Sequence, residues 1–200
     1  MDSNNKMVDK LTEKGYIETD QVEKAFRDID RAKFTPETYS KWAYKDRPIP
    51  LMEGATLSAP SMVAINTELL NVGEDDVVVE IGSGSGYQLT ILSELCRKAY
   101  GVEIIPELVE KSREILEGVE NIEIIHGSGF QPLEKKGVER VDRILYSCAI
   151  NSLDEAENFL KSGGVAVAPV NSDSNQILTK LDSKGKTFHG PVRFIPYIDE

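Results

Sequence analysis

Three glycines at alternate positions stand between a short apolar segment and a second segment with helical spacing. They are Gly82, Gly84 and Gly86, and the apolar segment before them covers residues 77–81. Glycine lets the backbone approach a ligand closely, because a side chain there would fill the space that the ligand needs. In the dinucleotide fingerprint the third glycine comes one position later, where a helix starts under a pyrophosphate. The spacing therefore favours a ligand without a pyrophosphate.

Two acidic residues end the predicted strands that flank this loop. Glu80 stands just before the loop, and Glu103 ends the next strand, 21 residues after Gly82. S-adenosylmethionine (AdoMet) carries an ammonium group, a sulfonium and a ribose diol, so we expect Glu80 near the ammonium and Glu103 at the ribose hydroxyls. Alternatively, the glycines only form a tight turn between strand and helix, and the two glutamates are solvated residues at strand ends. The combined spacing favours AdoMet and predicts these cofactor-binding residues: Glu80, Gly82, Ser83, Gly84, Ser85, Gly86 and Glu103.

Strand-like and helix-like segments alternate from residue 77 onward. Predicted strands cover 77–81, 99–103, 122–125, 141–146 and 164–170, and predicted helices cover 87–95, 106–116 and 154–160. This alternation is typical of a doubly wound, mainly parallel sheet. Residues 176–195, with a turn at 183–185, predict a hairpin at the sheet edge. The expected fold class is α/β, with about seven strands, an N-terminal helical segment and a C-terminal hairpin.

The first 57 residues are expected to form a cover of helices and loop over the core. Apolar residues at helical spacing predict a helix over 20–29, and a weaker one surrounds Val8 and Leu11. Residues 42–57 contain prolines and glycine without a period, which indicates a loop. A helix is predicted over 58–70, with Ser58 as its cap and Pro60 in its first turn. One domain results, with residues 58–200 as its Rossmann-like core.

Composition and charge exclude several classes of function. The net charge is -11 at pH 7 and the pI is about 4.8, which argues against a nucleic-acid-binding surface. No apolar run approaches the roughly 18 residues of a membrane helix, so we expect no membrane partner and a cytoplasmic protein. Cys96 and Cys148 are far apart and lack histidine or cysteine neighbours at ligand spacing, which predicts free thiols and no metal site.

Several segments together resemble protein-L-isoaspartate O-methyltransferases. The resemblance covers residues 31–196. Its motifs are RAKF at 31–34, DRPIP at 46–50, TLSAP at 56–60, VEIGSGSGYQ at 79–88, DRI at 142–144, GG at 163–164, VAPV at 167–170, QIL at 176–178 and VRFIP at 192–196. The family implies methylation of isoaspartyl carboxylates in damaged proteins and peptides, which starts their repair and would be this protein's activity.

The resemblance also implies an acceptor site. Ser58 matches the serine of the family's Thr-x-Ser-x-Pro segment and would be the catalytic serine beside the acceptor. Thr56 and Leu57 would line the same site. The segment from Val192 through Phe194 to residue 196 would lie along the backbone of the bound peptide. For Ser58 the family role and a helix cap remain two open interpretations.

The implied chemistry makes small demands on side chains. A carboxylate with a pKa near 4 is ionised at neutral pH, so attack on a sulfonium methyl group needs no general base. Placement and exclusion of water would carry the catalysis. We therefore interpret His126 and His189 as surface or strand-end residues, Cys148 as a small buried residue, and Tyr87 and Gln88 as packing residues.

Four positions depart from the family pattern. Ala55 stands where glutamine is usual, and Ser61 replaces a common histidine or tyrosine. Ser128 occupies the position of an aspartate that faces the adenine, and residues 147–150 replace a run of small residues that ends in proline. The first two leave open a methyltransferase with another acceptor. Ser128, which we keep among the cofactor-binding residues, and the changed segment leave open a non-catalytic relative.

Overall fold

A computed structural model of the protein describes residues 3–198. The helices are α1 (Ser3–Glu13), α2 (Asp20–Asp28), α3 (Pro60–Leu70), α4 (Tyr87–Ser93), α5 (Pro106–Ile115), α6 (Gln131–Glu134) and α7 (Asp154–Phe159), with short 3-10 helices at Arg31–Phe34 and Glu37–Trp42. The strands are β1 (Ile49–Pro50), β2 (Thr56–Leu57), β3 (Val77–Ile81), β4 (Lys98–Glu103), β5 (Ile122–His126), β6 (Val141–Tyr146), β7 (Leu160–Asn171), β8 (Gln176–Asp182) and β9 (Gly185–Val192).

Seven strands form one sheet in the order β5-β4-β3-β6-β7-β8-β9. Strands β3 to β7 pair in parallel, whereas β8 and β9 form an antiparallel hairpin at one edge. The chain moves outward from β3 to β5 and then returns to the other side of β3 through β6. This reversal opens a crevice at the carboxyl ends of β3 and β6, where doubly wound sheets bind ligands. The α/β fold class and the terminal hairpin are confirmed.

Alternate residues of the central strands face two separate core layers. Val78 packs with α1 to α4, while its neighbour Val79 packs with Leu133, Ala156 and other residues of the opposite layer. Both valines are fully buried. A strand that is buried on both faces needs apolar residues on both, which is why apolar and polar residues do not alternate along 77–81.

The N-terminal cover packs on the layer that contains α4. Phe26 and Phe34 both contact the ring of Tyr87, at centroid distances of 6.3 and 5.4 Å. The Arg31 guanidinium lies 5.0 Å from the centroid of the same ring, and its Nε donates to the carbonyl of Ala43. These contacts hold the first turn of α4, and with it the end of the glycine loop, against the cover.

Several local expectations were wrong. The expected loop over 42–57 contains the small hairpin β1–β2, whose two-residue strands are too short to show a period. Helix α3 begins at Pro60 with Ala59 as N-cap, so Ser58 lies one residue too early to cap it. Strand β7 starts at Leu160, earlier than expected, because Leu160 already pairs with Val141 of β6 before an irregularity in the register. The single turn α6 was missed.

No helix among residues 3–198 is long and apolar enough to span a membrane. The same residues contain no cluster of three or more histidine, cysteine, aspartate or glutamate side chains arranged to hold a metal ion.

Candidate cofactor and acceptor site

A cleft of about 660 Å³ lies at the carboxyl ends of β3, β4, β5 and β6. The glycine loop forms one wall through Gly82 and Gly84. The opposite wall comes from Ser128, Cys148 and the segment after β9. The cleft therefore combines residues from the two halves of the sheet.

The glycine loop has a backbone that side chains would disturb. Gly82, Gly84 and Gly86 have φ angles of 79°, 54° and 85°, in the left-handed region that favours glycine. A Cβ atom on Gly86 would approach Leu116 Cδ1 to 3.0 Å. Beside them, Ser83 and Ser85 are buried. This loop leaves backbone rather than side chains facing the cleft.

Glu103 ties the glycine loop to the end of β4. Its Oε2 accepts a hydrogen bond from Gly84 N at 2.7 Å, and its Oε1 accepts one from Ile105 N at 2.9 Å. The side chain lines the cleft although the residue is only 5% exposed. Each carboxylate oxygen can accept a second hydrogen bond. Glu103 thus shapes the loop and also offers acceptors to a ligand.

Glu80 is a buried acid with an incomplete set of partners. The residue is 1% exposed, and its Oε1 accepts a hydrogen bond of 2.6 Å from the Ser147 hydroxyl. Its Oε2 is buried and has no hydrogen-bond partner among residues 3–198. Burial raises the pKa of Glu80 to about 8, with the charge of Glu103 adding to this and the Ser147 bond opposing it. A cationic ligand group at Oε2 would complete this site, as the ammonium of AdoMet can.

A smaller groove of about 310 Å³ adjoins the cleft on the side of α3. Thr56, Leu57 and Ser58 line it together with Glu80 and Ser147. The Ser58 hydroxyl makes no hydrogen bond to α3 within the part of the chain that the structure describes. Its cap role is therefore excluded, and the half-buried Ser58 lines a groove that the glycine loop also borders.

The opposite wall contains the departures from the family pattern. Ser128 lies 2.7 Å from the Tyr197 hydroxyl through its Oγ, which also donates to the carbonyl of Ile198 at 2.9 Å. Cys148 lies against the loop, with its Sγ 3.8 Å from the carbonyl of Ile81, and burial raises its pKa to about 12. This thiol is a packing group.

The two acceptor-side departures have local surroundings of their own. Ala55 directly precedes β2, where its carbonyl accepts from Leu51 N, and it lines the cleft. Ser61 lies in the first turn of α3, where its N–H donates to Asp46 Oδ1 at 3.0 Å. Neither residue places a large side chain in the cleft, so the acceptor side is open there.

The remaining expected substrate residues lie farther from the cleft. Val192 ends β9 and lines a polar groove with residues 171–176. The main chain of Phe194 is held by Gln176, whose Oε1 accepts from Phe194 N at 2.5 Å and whose Nε2 donates to Phe194 O at 3.1 Å. The chain then enters the cleft at Ile195. Val192 and Phe194 therefore flank the site rather than line it.

Ser147 and Tyr197 contact residues of the site but were not among the residues expected to bind cofactor or acceptor. Ser147 could have been found, since it follows β6, the strand that neighbours β3 in a doubly wound sheet. Tyr197 carries no local signal, because it reaches Ser128 from 69 residues away in the chain. Its position depends on the path of the chain after β9.

Comparison with known proteins agrees with this architecture. The family model for protein-L-isoaspartate(D-aspartate) O-methyltransferase matches residues 2–200. The protein-L-isoaspartate O-methyltransferase of Pyrobaculum islandicum is 36% identical, covering 96% of this chain and 95% of that protein. Protein-L-isoaspartate O-methyltransferase 2 of Archaeoglobus fulgidus is 39% identical, covering 88% and 84%.

A solved structure from Plasmodium falciparum has the same fold. It is described as a protein-L-isoaspartate O-methyltransferase in complex with S-adenosyl-L-homocysteine, and it covers 100% of both chains with a TM-score of 0.89 at 25% identity. The match extends over the cover, the sheet and the terminal hairpin. The chain belongs to the protein-L-isoaspartate(D-aspartate) O-methyltransferase family.

Proposed function

We propose that the protein transfers the methyl group of AdoMet to the free carboxylate of isoaspartyl residues in damaged proteins and peptides. The observation that carries this proposal is that the cleft at the glycine loop and the groove at Ser58 adjoin each other. The cleft with Glu103 and the groove with Ser58 have four lining residues in common, Thr56, Gly82, Gly84 and Ser147, and Glu80 lines the groove beside them. Membership of the family supports the choice of acceptor.

The cofactor residues are assigned by charge and geometry. The backbone of Gly82 and Gly84 bounds the space for the methionine part, with Glu80 Oε2 as the partner of its ammonium group. The carboxylate of Glu103 accepts from the ribose hydroxyls. The loop residues Ser83, Ser85 and Gly86 hold the shape of this wall, and Ser128 lies at the far end of the cleft.

The reaction needs placement more than proton transfer. AdoMet supplies a methyl carbon that bonds to a carboxylate oxygen while its bond to sulfur breaks, with the electron pair remaining on sulfur and a methyl ester forming. The Ser58 hydroxyl donates to the acceptor carboxylate and orients it. Thr56 and Leu57 bound the acceptor, while Val192 and Phe194 border the path of the bound peptide.

The proposed partners are polypeptides rather than nucleic acids, since the chain carries a net charge of -11. We expect the reaction to take place in the cytoplasm, because Cys96 and Cys148 are both free thiols and reducing compartments keep thiols in that form.

A transfer assay tests the proposal. The protein is incubated with methyl-labelled AdoMet and either an isoaspartyl peptide or the same peptide with an ordinary aspartyl linkage. We expect base-labile methyl ester on the isoaspartyl peptide alone. Ser58→Ala should lower the rate by about tenfold to a hundredfold, the value of one lost hydrogen bond. Ser162→Ala, on an exposed part of β7, is the matched control. Cofactor binding without ester formation would contradict the proposed acceptor.

A further inference from the structure

A second pocket, of about 720 Å³, lies between the N-terminal cover and α5. The 3-10 helices of the cover, the segment at β1 and one face of α5 enclose it, and Ser85 of the glycine loop completes its lining. Among residues 3–198, none lines both this pocket and the cofactor cleft, and Ser85 alone also lines the groove at Ser58. The pocket is therefore separate from the site described above, although the glycine loop borders both.

Most of the pocket wall is apolar. Phe34 and Leu108 are buried, whereas Leu51 and Met52 are half-buried. Ile115 is 39% exposed, which is unusual for a large apolar side chain of this protein. An apolar body that covered these side chains would gain free energy by removing them from water.

The charges of the pocket are opposite in sign to those of the cofactor cleft. Among the described residues, Lys33 and Lys111 are the only charged side chains in the pocket lining, whereas Glu53 and Glu103 line the cleft. The two lysines come from different walls, the cover and α5. In a chain with a net charge of -11, a lining with two cations and no carboxylate favours an anion.

Both ammonium groups are available to a ligand. Neither lysine forms an ion pair within residues 3–198. Lys111 has Glu107 and Glu114 on the same helix, at the spacing at which helical side chains can pair, yet no such pair forms. Leu108 and Ile115 share this spacing with Lys111, so the helix presents one cation between two apolar side chains to the pocket.

The turn between β1 and β2 separates the pocket from the cofactor cleft. Residues 50–52 line the pocket, whereas Glu53, Ala55 and Thr56 line the cleft. A hydrogen bond of 2.8 Å from Leu51 N to Ala55 O closes the turn. A ligand against one side of this turn therefore acts on the segment that shapes the cleft on its other side.

The same turn has a backbone that depends on its surroundings. Glu53 has a φ of 50° and Gly54 a φ of 79°, and a residue other than glycine keeps such a conformation only when its neighbours hold it. Leu51 lies against the glycine loop, where a Cβ atom on Gly84 would approach its Cδ1 to 3.7 Å. Contacts of a ligand with Leu51 would add to those that hold the turn in this conformation.

We propose that this pocket binds a small carboxylate with an apolar body, and that the bound ligand stabilises the β1–β2 turn and thereby strengthens cofactor binding in the neighbouring cleft. The carboxylate interacts with the ammonium groups of Lys33 and Lys111, and the apolar body covers Phe34, Leu51 and Ile115. The inference goes beyond the proposed function and rests on it only for the identity of the ligand in the cleft.

An NMR titration of isotope-labelled protein tests binding to the pocket. The probes are phenylbutyrate and the uncharged phenylbutyramide, which differ in the carboxylate alone. We expect phenylbutyrate to shift the amide signals of Leu51, Met52 and Lys111, and to bind roughly threefold to tenfold more tightly than the amide, the value of one or two exposed ion pairs. The preference should decrease at high salt, which screens exposed charges.

A double variant tests the two lysines. In Lys33→Met with Lys111→Met the preference for phenylbutyrate should fall to about one, because both cations are lost. Lys10→Met with Lys45→Met is the matched control, since these lysines are also exposed, lie outside the pocket lining and give the same change in charge. Circular dichroism checks folding, and Lys111→Met alone should give an intermediate preference. An unchanged preference in the folded double variant, or shifts confined to other parts of the chain, would overturn the inference.

Calorimetry tests the link between the pocket and the cleft. S-adenosylhomocysteine should bind about fivefold more tightly when phenylbutyrate saturates the pocket, at the lower end of usual couplings between sites. The double variant of Lys33 and Lys111 should lose this effect, and the control variant should keep it. An unchanged affinity in the wild type would overturn the stabilisation of the turn. If the protein binds no S-adenosylhomocysteine, the proposed function fails, while the NMR titration still decides whether the pocket binds the carboxylate.

Discussion

The two walls of the cleft differ in how the chain builds them. The loop wall, from Glu80 to Gly86, is one continuous segment between β3 and α4, and Glu103 holds it through backbone hydrogen bonds. The opposite wall joins Ser128 and Tyr197, which are 69 residues apart in sequence. The loop wall therefore depends on the conformation of one continuous segment and on the Glu103 side chain that holds it, whereas the opposite wall depends on contacts between segments far apart in the sequence.

The largest expected effect concerns the buried acid of the loop wall. The pKa of Glu80 is raised from 4.5 to about 8, so the folded protein holds this proton more tightly than the unfolded chain. Its contribution to stability is complete below about pH 4.5 and is lost as pH rises to about 8, by up to about 5 kcal/mol at ~1.4 kcal/mol per pKa unit. Urea unfolding of wild type and Glu80→Gln from about pH 5 to about pH 8 measures it.

The glutamine of Glu80→Gln cannot titrate. The variant therefore lacks the contribution of Glu80 to the pH dependence of stability, while the contributions of the other carboxylates are unchanged. As pH rises, the unfolding free energy of the wild type should therefore fall relative to that of the variant. A difference that is constant with pH would contradict the prediction and would mean that Glu80 is ionised in the folded protein.

The next largest effect concerns the carboxylate that holds the loop. Glu103→Gln replaces one of two acceptor oxygens with an amide donor, which then faces the N–H of Gly84 or Ile105. We expect a loss of about 1–3 kcal/mol in stability and a tenfold to hundredfold loss in S-adenosylhomocysteine affinity. Calorimetry and urea unfolding measure the two losses. Glu107→Gln, exposed in the first turn of α5, is the control and should change neither.

A smaller effect is expected where a side chain is added to the loop. Gly86→Ala combines a φ of 85° with a Cβ contact of 3.0 Å to Leu116. Gly15→Ala has a similar φ of 71°, but no atom of the described residues lies within 4 Å of the added Cβ, so it isolates the backbone strain. We expect losses of about 2 and about 1 kcal/mol in unfolding free energy. Equal losses would show that the Leu116 contact relaxes without cost.

The smallest effect is expected on the opposite wall. Cys148→Ala removes one partly buried sulfur whose weak contact is 3.8 Å from the Ile81 carbonyl. We expect a loss of about 1 kcal/mol or less in stability and less than about a threefold change in S-adenosylhomocysteine affinity, since no strong hydrogen bond is lost. A change as large as that of Glu103→Gln would remove the difference between the two walls. Thermal unfolding and calorimetry measure both quantities.

The sequence predicted the loop wall because its determinants are local. Glycine spacing, a doubly buried strand and two acids at strand ends identify positions whose relative placement follows from a parallel sheet. The order of strands and helices was predictable for the same reason. Ser58 was placed near the acceptor by resemblance, although its expected role as a helix cap was wrong because Pro60 starts α3 and leaves Ala59 at the cap.

The opposite wall could not be predicted in this way. Ser128 was expected to lie at the adenine end of the site, but nothing in the sequence indicates that Tyr197 contacts it. That contact depends on Ala149, which pairs with the chain after β9 only when the sheet is complete. Similarly, the structural role of Glu103 as an acceptor for Gly84 N depends on the shape of the loop and not on residue type alone.

The terminal hairpin leaves β9 as an outer strand of the sheet, where a second molecule could pair and start aggregation. Phe188 on this strand is 72% exposed, which increases that risk. Pro191 lacks an N–H group, and the pairing of β8 with β9 is irregular between Ile177 and Thr179. Lys186 adds charge near the start of the strand. These features interrupt the flat hydrogen-bonding edge that intermolecular strand addition requires, so the hairpin extends the sheet while limiting self-association through it.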